Sequence, residues 1–104
     1  MRPDEQTLER LRAEHGEVYW VEAAGVGLVV RPPRRAEYRR FRAMTLDPER
    51  RGDATERLVR DCVVWPSPEE LDRILETRPA LADAVASRLL ELAGAVEEVQ
   101  LKKL

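Results

Sequence analysis

The chain has 104 residues, 43% hydrophobic and 37% charged, with a net charge of −2. That is enough for one small domain with one core and too little for two. The apolar fraction excludes wholesale disorder, near-neutrality gives no global pull toward nucleic acid, and the single cysteine, Cys62, allows neither an internal disulfide nor a cysteine-based metal site.

The start, MRPDEQTLERLR, is charged and lacks the apolar run of a signal peptide. No apolar stretch approaches the ~18 residues of a membrane span. These features predict a soluble cytoplasmic protein with no membrane role. Residues 3–14 are predicted as a helix, capped by Asp4, with Leu8 and Leu11 at i, i+3 and Gly16 at the stop position. Two β-rich runs follow, Glu17–Glu22 and Val26–Arg31, joined by Ala23-Ala24-Gly25 as a hairpin. Alternation puts Val18, Trp20 and Glu22 on one face, with Tyr19 and Val21 on the other. Gly27 marks a bulge or a close approach, and Pro32-Pro33 ends the strand.

Arg34–Met44 is predicted helical, entered through Pro33, with Tyr38 and Phe41 on one face. The polar run DPERRGD is a loop, and Asp53 is the expected cap of a helix reaching about Val64. Its stripe is Leu58, Val59, Cys62 and Val63. Pro66 stops it. Ser67, Pro68 and Glu70 form the start of the next helix as a capping box, with Leu71, Ile74 and Leu75 as its apolar stripe. Pro79 opens the last helix, in which Leu81, Val85, Leu89 and Leu92 recur at helical spacing, widened by Ala82, Ala86, Leu90 and Ala93, with Gly94 as the C-terminal cap. The expected fold class is α+β: an N-terminal helix and β-hairpin followed by a small bundle of about four helices. Residues 1–94 form the domain, and residues 95–104 form an amphipathic tail that fits helix, strand or a flexible arm.

The stretch CVVWPSPEE reads as a helix–corner–helix joint rather than a reactive site. Cys62 lies on the apolar stripe and acts as a small core residue. A catalytic thiol needs a base, usually histidine, and the single His15 sits at the end of the first helix, where a cation is favourable. Trp65 wedges the corner or anchors an interface. Glycines do not form a phosphate-binding loop, and HExxH, CxxC and EF-hand patterns are absent. The 20 acidic residues interleave with arginine, as on solvated helix faces. The expectation is a non-enzyme without cofactor or metal.

One cluster stands out. RPPRRAEYRRFR carries Arg31, Arg34, Arg35, Arg39, Arg40 and Arg42 around Tyr38 and Phe41. Such a face can track phosphates and stack on bases. Alternatively, the aromatics face the core while the arginines pair with acids or meet an acidic protein partner.

The order of these motifs carries a resemblance. The strand followed by R-P-P-R-R-A-E-Y-R-R-F, the joint LVRDCVVWP, and EELDRILETRPALADAVASRLLELAG resemble the small tail assembly chaperones of tailed bacteriophages and prophages, over roughly residues 7–94. The resemblance implies a chaperone that binds the tape measure protein, keeps that long helical client soluble and assists assembly of the tail tube protein. It also implies location in the bacterial host cytoplasm and absence from the mature particle. The matched motifs define a scaffold, so no functional residue carries over.

A holdase needs apolar groups that a partner can cover. Two surfaces qualify: the last helix, through Val85, Leu89, Leu90 and Leu92, and the hairpin, through Tyr19, Trp20, Val21 and Val29. Trp65 joins them as a further candidate anchor. Such a surface also invites homo-oligomerisation. The basic face of Arg34, Arg35, Arg39, Arg40 and Arg42 supports the alternative, a small nucleic-acid-binding or regulatory domain, although nucleic acid is the less favoured partner. The chain uses 16 arginines and only two lysines, Lys102 and Lys103. Their isolation near the end fits a charged solvated tail or, alternatively, a slippery codon site for a longer frameshifted form.

Overall fold

The computed structural model describes residues 2–96 and 98–104. Helix α1 is Glu5–His15, strands β1 and β2 are Tyr19–Ala23 and Val26–Val30, helices α2 and α3 are Arg35–Leu46 and Arg51–Cys62, strand β3 is Val63–Trp65, and helices α4 and α5 are Pro68–Thr77 and Leu81–Leu92. The α+β class stands, with four helices after the hairpin. The strands make one antiparallel sheet in the order β1-β2-β3.

Local chemistry explains most boundaries. The Asp4 carboxylate accepts a hydrogen bond from the Thr7 amide at 2.7 Å, satisfying a free donor of α1. Ala23 pairs with Val26 across a two-residue turn, with Ala24 at φ 53° and Gly25 at φ 75°. Two consecutive positive φ values match the twist of the flanking strands. Ser67 Oγ accepts from the Glu70 amide at 3.3 Å. The Glu70 carboxylate, expected to reach back, instead pairs with Arg73 one turn on.

Two expectations are corrected. Asp53 does not cap α3, which starts at Arg51. Asp47 organises that entry: its carboxylate accepts from the Glu49 amide at 3.0 Å, and its carbonyl accepts from the Arg51 amide at 2.8 Å. The helix after it ends at Cys62, not near Val64. Val63–Trp65 is a third strand paired to β2, so the joint is helix–strand–helix. Val-Val-Trp gains ladder pairing that a further helical turn ending at Pro66 could not supply.

The core lies between one sheet face and the helices. Leu28 and Val30 of β2 meet Leu58, Val59 and Cys62 of α3, Leu71 and Leu75 of α4, and Leu81, Val85 and Leu89 of α5. Each fully buried leucine or valine contributes roughly 1.5–3 kcal/mol of transfer free energy. The other sheet face carries Val29, which is buried and lines a cleft with Leu8 and Arg12 of α1. Residues 95–104, Glu97 aside, hold neither helix nor strand.

Candidate functional site

The sheet places its two tryptophans together. Val29 pairs with both Trp20 and Trp65, while Val30 pairs with Val63, so the β3 register slips by one residue between these pairs. A bulge of this kind re-aims a side chain. Val63 packs on the core, whereas Trp65 meets Trp20 on the opposite face, ring centroids 6.2 Å apart. The Arg2 guanidinium lies 4.8 Å from the centre of the Trp20 ring, a cation–π contact. The indole N–H of Trp20 donates to Glu22 at 3.0 Å. The same ring covers Gly27, where an added methyl would overlap its Cζ2 and Cη2 atoms. The close approach signalled by Gly27 is therefore the approach of Trp20.

Beside this layer, the free edge of β1 and the end of α5 enclose an open groove of about 280 Å³. Tyr19, Val21 and Leu92 give it an apolar lining; Glu22, Arg88 and Glu91 form its rim. Arg88 holds Glu91 with two bonds of 2.9 Å. Tyr19 is 38% exposed, and its hydroxyl donates to Glu17 at 3.0 Å. The carboxylate acceptor holds the Tyr19 phenol above its usual range, because ionisation would cost that bond.

The candidate anchors thus divide. Tyr19, Trp20 and Leu92 come together at the groove. Trp65 packs behind Trp20, and Leu90 is half-buried against the core. Val85 and Leu89 are corrected: both are sealed in the domain's own core. The exposed face of α5 is polar, with Asp83, Ser87, Arg88 and Glu91, the last two rimming the groove. Sequence reasoning missed Arg2 and the rim pair Arg88–Glu91; the i, i+3 spacing of that pair was its available signal.

The arginine cluster also divides. Arg31 is 7% exposed and donates to both Glu37 carboxylate oxygens at 2.8 and 2.6 Å and to the Asp61 carbonyl at 2.7 Å. It ties the end of β2 to α2 and α3. Arg40 pairs with Asp61, which also receives Arg57 at 3.4 Å. Arg40 is thereby corrected from a free basic group to a paired one. Arg34, Arg35, Arg39 and Arg42 are exposed and have no ion-pair partner among the described residues. Tyr38 and Phe41 are half-buried, and Phe41 packs against the core rather than standing free as a stacking platform.

Cys62 is fully buried among these elements. Desolvation by burial pushes its thiol up to about 12, which keeps it neutral rather than nucleophilic. Among the described residues, no cluster of His, Cys, Asp and Glu is arranged to hold a metal ion, and no helix is long and apolar enough to cross a membrane.

A family model described as "Domain of unknown function (DUF6848)" matches residues 11–102, nearly the whole chain. The chain belongs to this family. The match includes the hairpin, the groove, the arginine helix and most of the tail beyond α5. An uncharacterised protein from Bacillus stearothermophilus, rbstp2171, is similar in structure, with a TM-score of 0.77 and 28% sequence identity over 91% of this chain and 99% of that one. No curated protein matches the chain.

Proposed function

We propose that this chain is a non-catalytic binding protein of the tail-assembly-chaperone kind, which holds an apolar helical client, the tape measure protein, against the groove between β1 and α5. The observation that carries the reading is the solvent-facing Tyr19 set beside Val21 and Leu92. An aromatic that is part exposed, with an apolar floor and a charged rim, has the make-up of an interface anchor. A helix presenting i, i+3, i+4 apolar side chains fits such a groove. The resemblance of the motif order to that of the tail chaperones is what suggests the client. Work in the host cytoplasm and assistance to the tail tube protein belong to the same proposal.

The test is co-expression with the longest helical protein encoded just downstream. The expected result is a soluble client that co-purifies in stoichiometric amount, and loss of that recovery with Tyr19→Ser plus Leu92→Ser. A client that stays insoluble and unbound overturns the reading.

A second reading rests on a separate observation, the unpartnered Arg34, Arg35, Arg39 and Arg42. Such a face suits a polyanion, an acidic protein surface or a phosphate backbone. Binding to nucleic acid that weakens steeply with salt and disappears in Arg39→Glu plus Arg42→Glu would support it.

A further inference from the structure

The last ten residues pose a separate problem. Val99 is 84% exposed and Leu101 96% exposed, with Val96 and Leu104 also open to solvent. The described residues of this tail make no helix or strand. The tail begins where α5 is closed off: Gly94 takes φ 103°, and the Ala95 amide donates back to the Leu90 carbonyl at 2.9 Å. From there the chain runs out from the body. The radius of gyration is 15.0 Å, against about 13 Å for a compact domain of this length. Four uncovered aliphatic side chains on one short segment are costly to leave in water.

The same molecule offers what such a segment lacks. Among the described residues strand β1 pairs only with β2, so its outer backbone edge offers N–H and C=O groups beside the apolar groove. An unpaired edge is a template for another strand. In an extended segment Val99 and Leu101 share a face, and that face can meet Tyr19, Val21 and Leu92. The charges are compatible. Glu22 stands on the groove rim and Glu17 beside Tyr19, Arg88 neutralises Glu91, and the tail carries Lys102 and Lys103 with Glu98 at its start. The family match extends to residue 102 and so takes in most of the tail.

We propose that residues 98–104 of one chain lie along β1 and in the β1–α5 groove of a second copy, and that the exchange is reciprocal, giving a two-fold dimer. A strand added to an exposed edge gains main-chain hydrogen bonds for affinity and side-chain pockets for register. A two-fold exchange satisfies both edges and both tails at once. The inference does not depend on the nature of any client, although it places the tail in the groove assigned to one. A client would then compete with the tail.

The test is sedimentation equilibrium of the purified full chain, without client, beside two variants: Val99→Ser plus Leu101→Ser in the tail, and Tyr19→Asp in the groove. The wild type is expected at twice the 11.9 kDa chain mass, and each variant at once that mass with an unchanged far-UV circular dichroism spectrum. A monomeric wild type overturns the proposal. So does a dimer that survives the tail variant, and a dimer broken by the tail variant but not by Tyr19→Asp. If Tyr19→Asp loses its fold, Glu22→Lys replaces it; it reverses a rim charge opposite the tail lysines and is expected to weaken the dimer at low salt, and no weakening counts against the seat. Because no client is present, failure here leaves the client reading standing, and failure of client recovery leaves the dimer standing.

Discussion

Arg31 and Glu37 form a two-bond ion pair at the point where β2, α2 and α3 converge, with the guanidinium also held by the Asp61 carbonyl. The pair is intrachain and buried, so its role is to fix these elements rather than to present charge. Breaking a buried pair strands one charge, which costs more than the pair itself contributes. Glu37→Ala leaves the Arg31 guanidinium without its counter-charge and is expected to destabilise by about 3–5 kcal/mol in urea unfolding at neutral pH. A cost below 1 kcal/mol, typical of an exposed pair, would remove the pair from the structural framework.

The same contact sets an acid limb. Hydrogen bonding from Arg31, helped by the Arg34 amide, holds Glu37 below the usual carboxylate range against the opposing effect of burial. The native state thus binds this proton less readily than the unfolded state. The stabilisation is complete above the unfolded pKa of about 4.3 and is lost as pH falls through the lower native value. Glu37→Gln should flatten that part of the stability curve relative to wild type. An unchanged acid limb would assign it to other carboxylates.

Cys62 makes the opposite prediction at high pH. Its thiol is held up to about 12 by burial, so the unfolded state loses the proton first. The contribution is intact below about 8.5, the ordinary thiol value, and falls as pH rises toward the native value. At pH 8 a thiol reagent should leave the folded chain unlabelled and label it fully in urea. Cys62→Ala should cost about 1 kcal/mol, as other small core truncations do, and should remove the thiol's part of the alkaline slope. Ready labelling of the folded chain would contradict the burial that makes Cys62 inert.

Much of this was legible in the sequence because it rests on local rules. Asp4, Ser67 and Gly94 mark helix ends through hydrogen bonds spanning a few residues, and Leu58, Val59 and Cys62 show their face by spacing alone. β3 was not legible. Val63 continues the i, i+4 stripe of α3, and only the distant β2 edge makes Val63–Trp65 a strand. The groove was half legible: Tyr19 and Trp20 advertised themselves as aromatics in a hairpin, but Leu92 joins them only through packing of α5 against β1. Val85 and Leu89 were misplaced because apolar spacing reports a buried face without saying which neighbour buries it. Arg31 and Arg40 were counted as surface charge because their partners, Glu37 and Asp61, are set by the meeting of three elements.

Gly27 and Gly25 lie two residues apart and should respond differently to alanine. At Gly25 a methyl meets nothing, but φ is +75°, so the cost is backbone strain of roughly 1–2 kcal/mol. At Gly27 the methyl overlaps the Trp20 ring, and the ring must leave its place against Trp65 and Arg2 at a cost of roughly 1–3 kcal/mol. Tryptophan fluorescence separates them. Gly27→Ala should shift the emission to the red as Trp20 meets water, and Gly25→Ala should leave it unchanged. Equal spectra from the two variants would displace Trp20 from its position over Gly27.

The exposed arginines of α2 give a prediction about what the fold does not need. Arg35, Arg39 and Arg42 recur at i, i+4 and i+7, and no acid pairs with them among the described residues. Replacing all three with glutamine should change stability by no more than about 0.5 kcal/mol per site. Arg40→Gln should cost more, because it removes one of the two arginines paired with the half-buried Asp61 carboxylate. Reversing the three exposed charges to glutamate should preserve the fold while abolishing attraction to polyanions, read as loss of retention on a phosphocellulose column. If the triple glutamine variant unfolds the domain, these side chains have partners within the chain and the face is structural. If it folds and its retention is unchanged, the helix carries its charge for solubility, and the polyanion reading is lost.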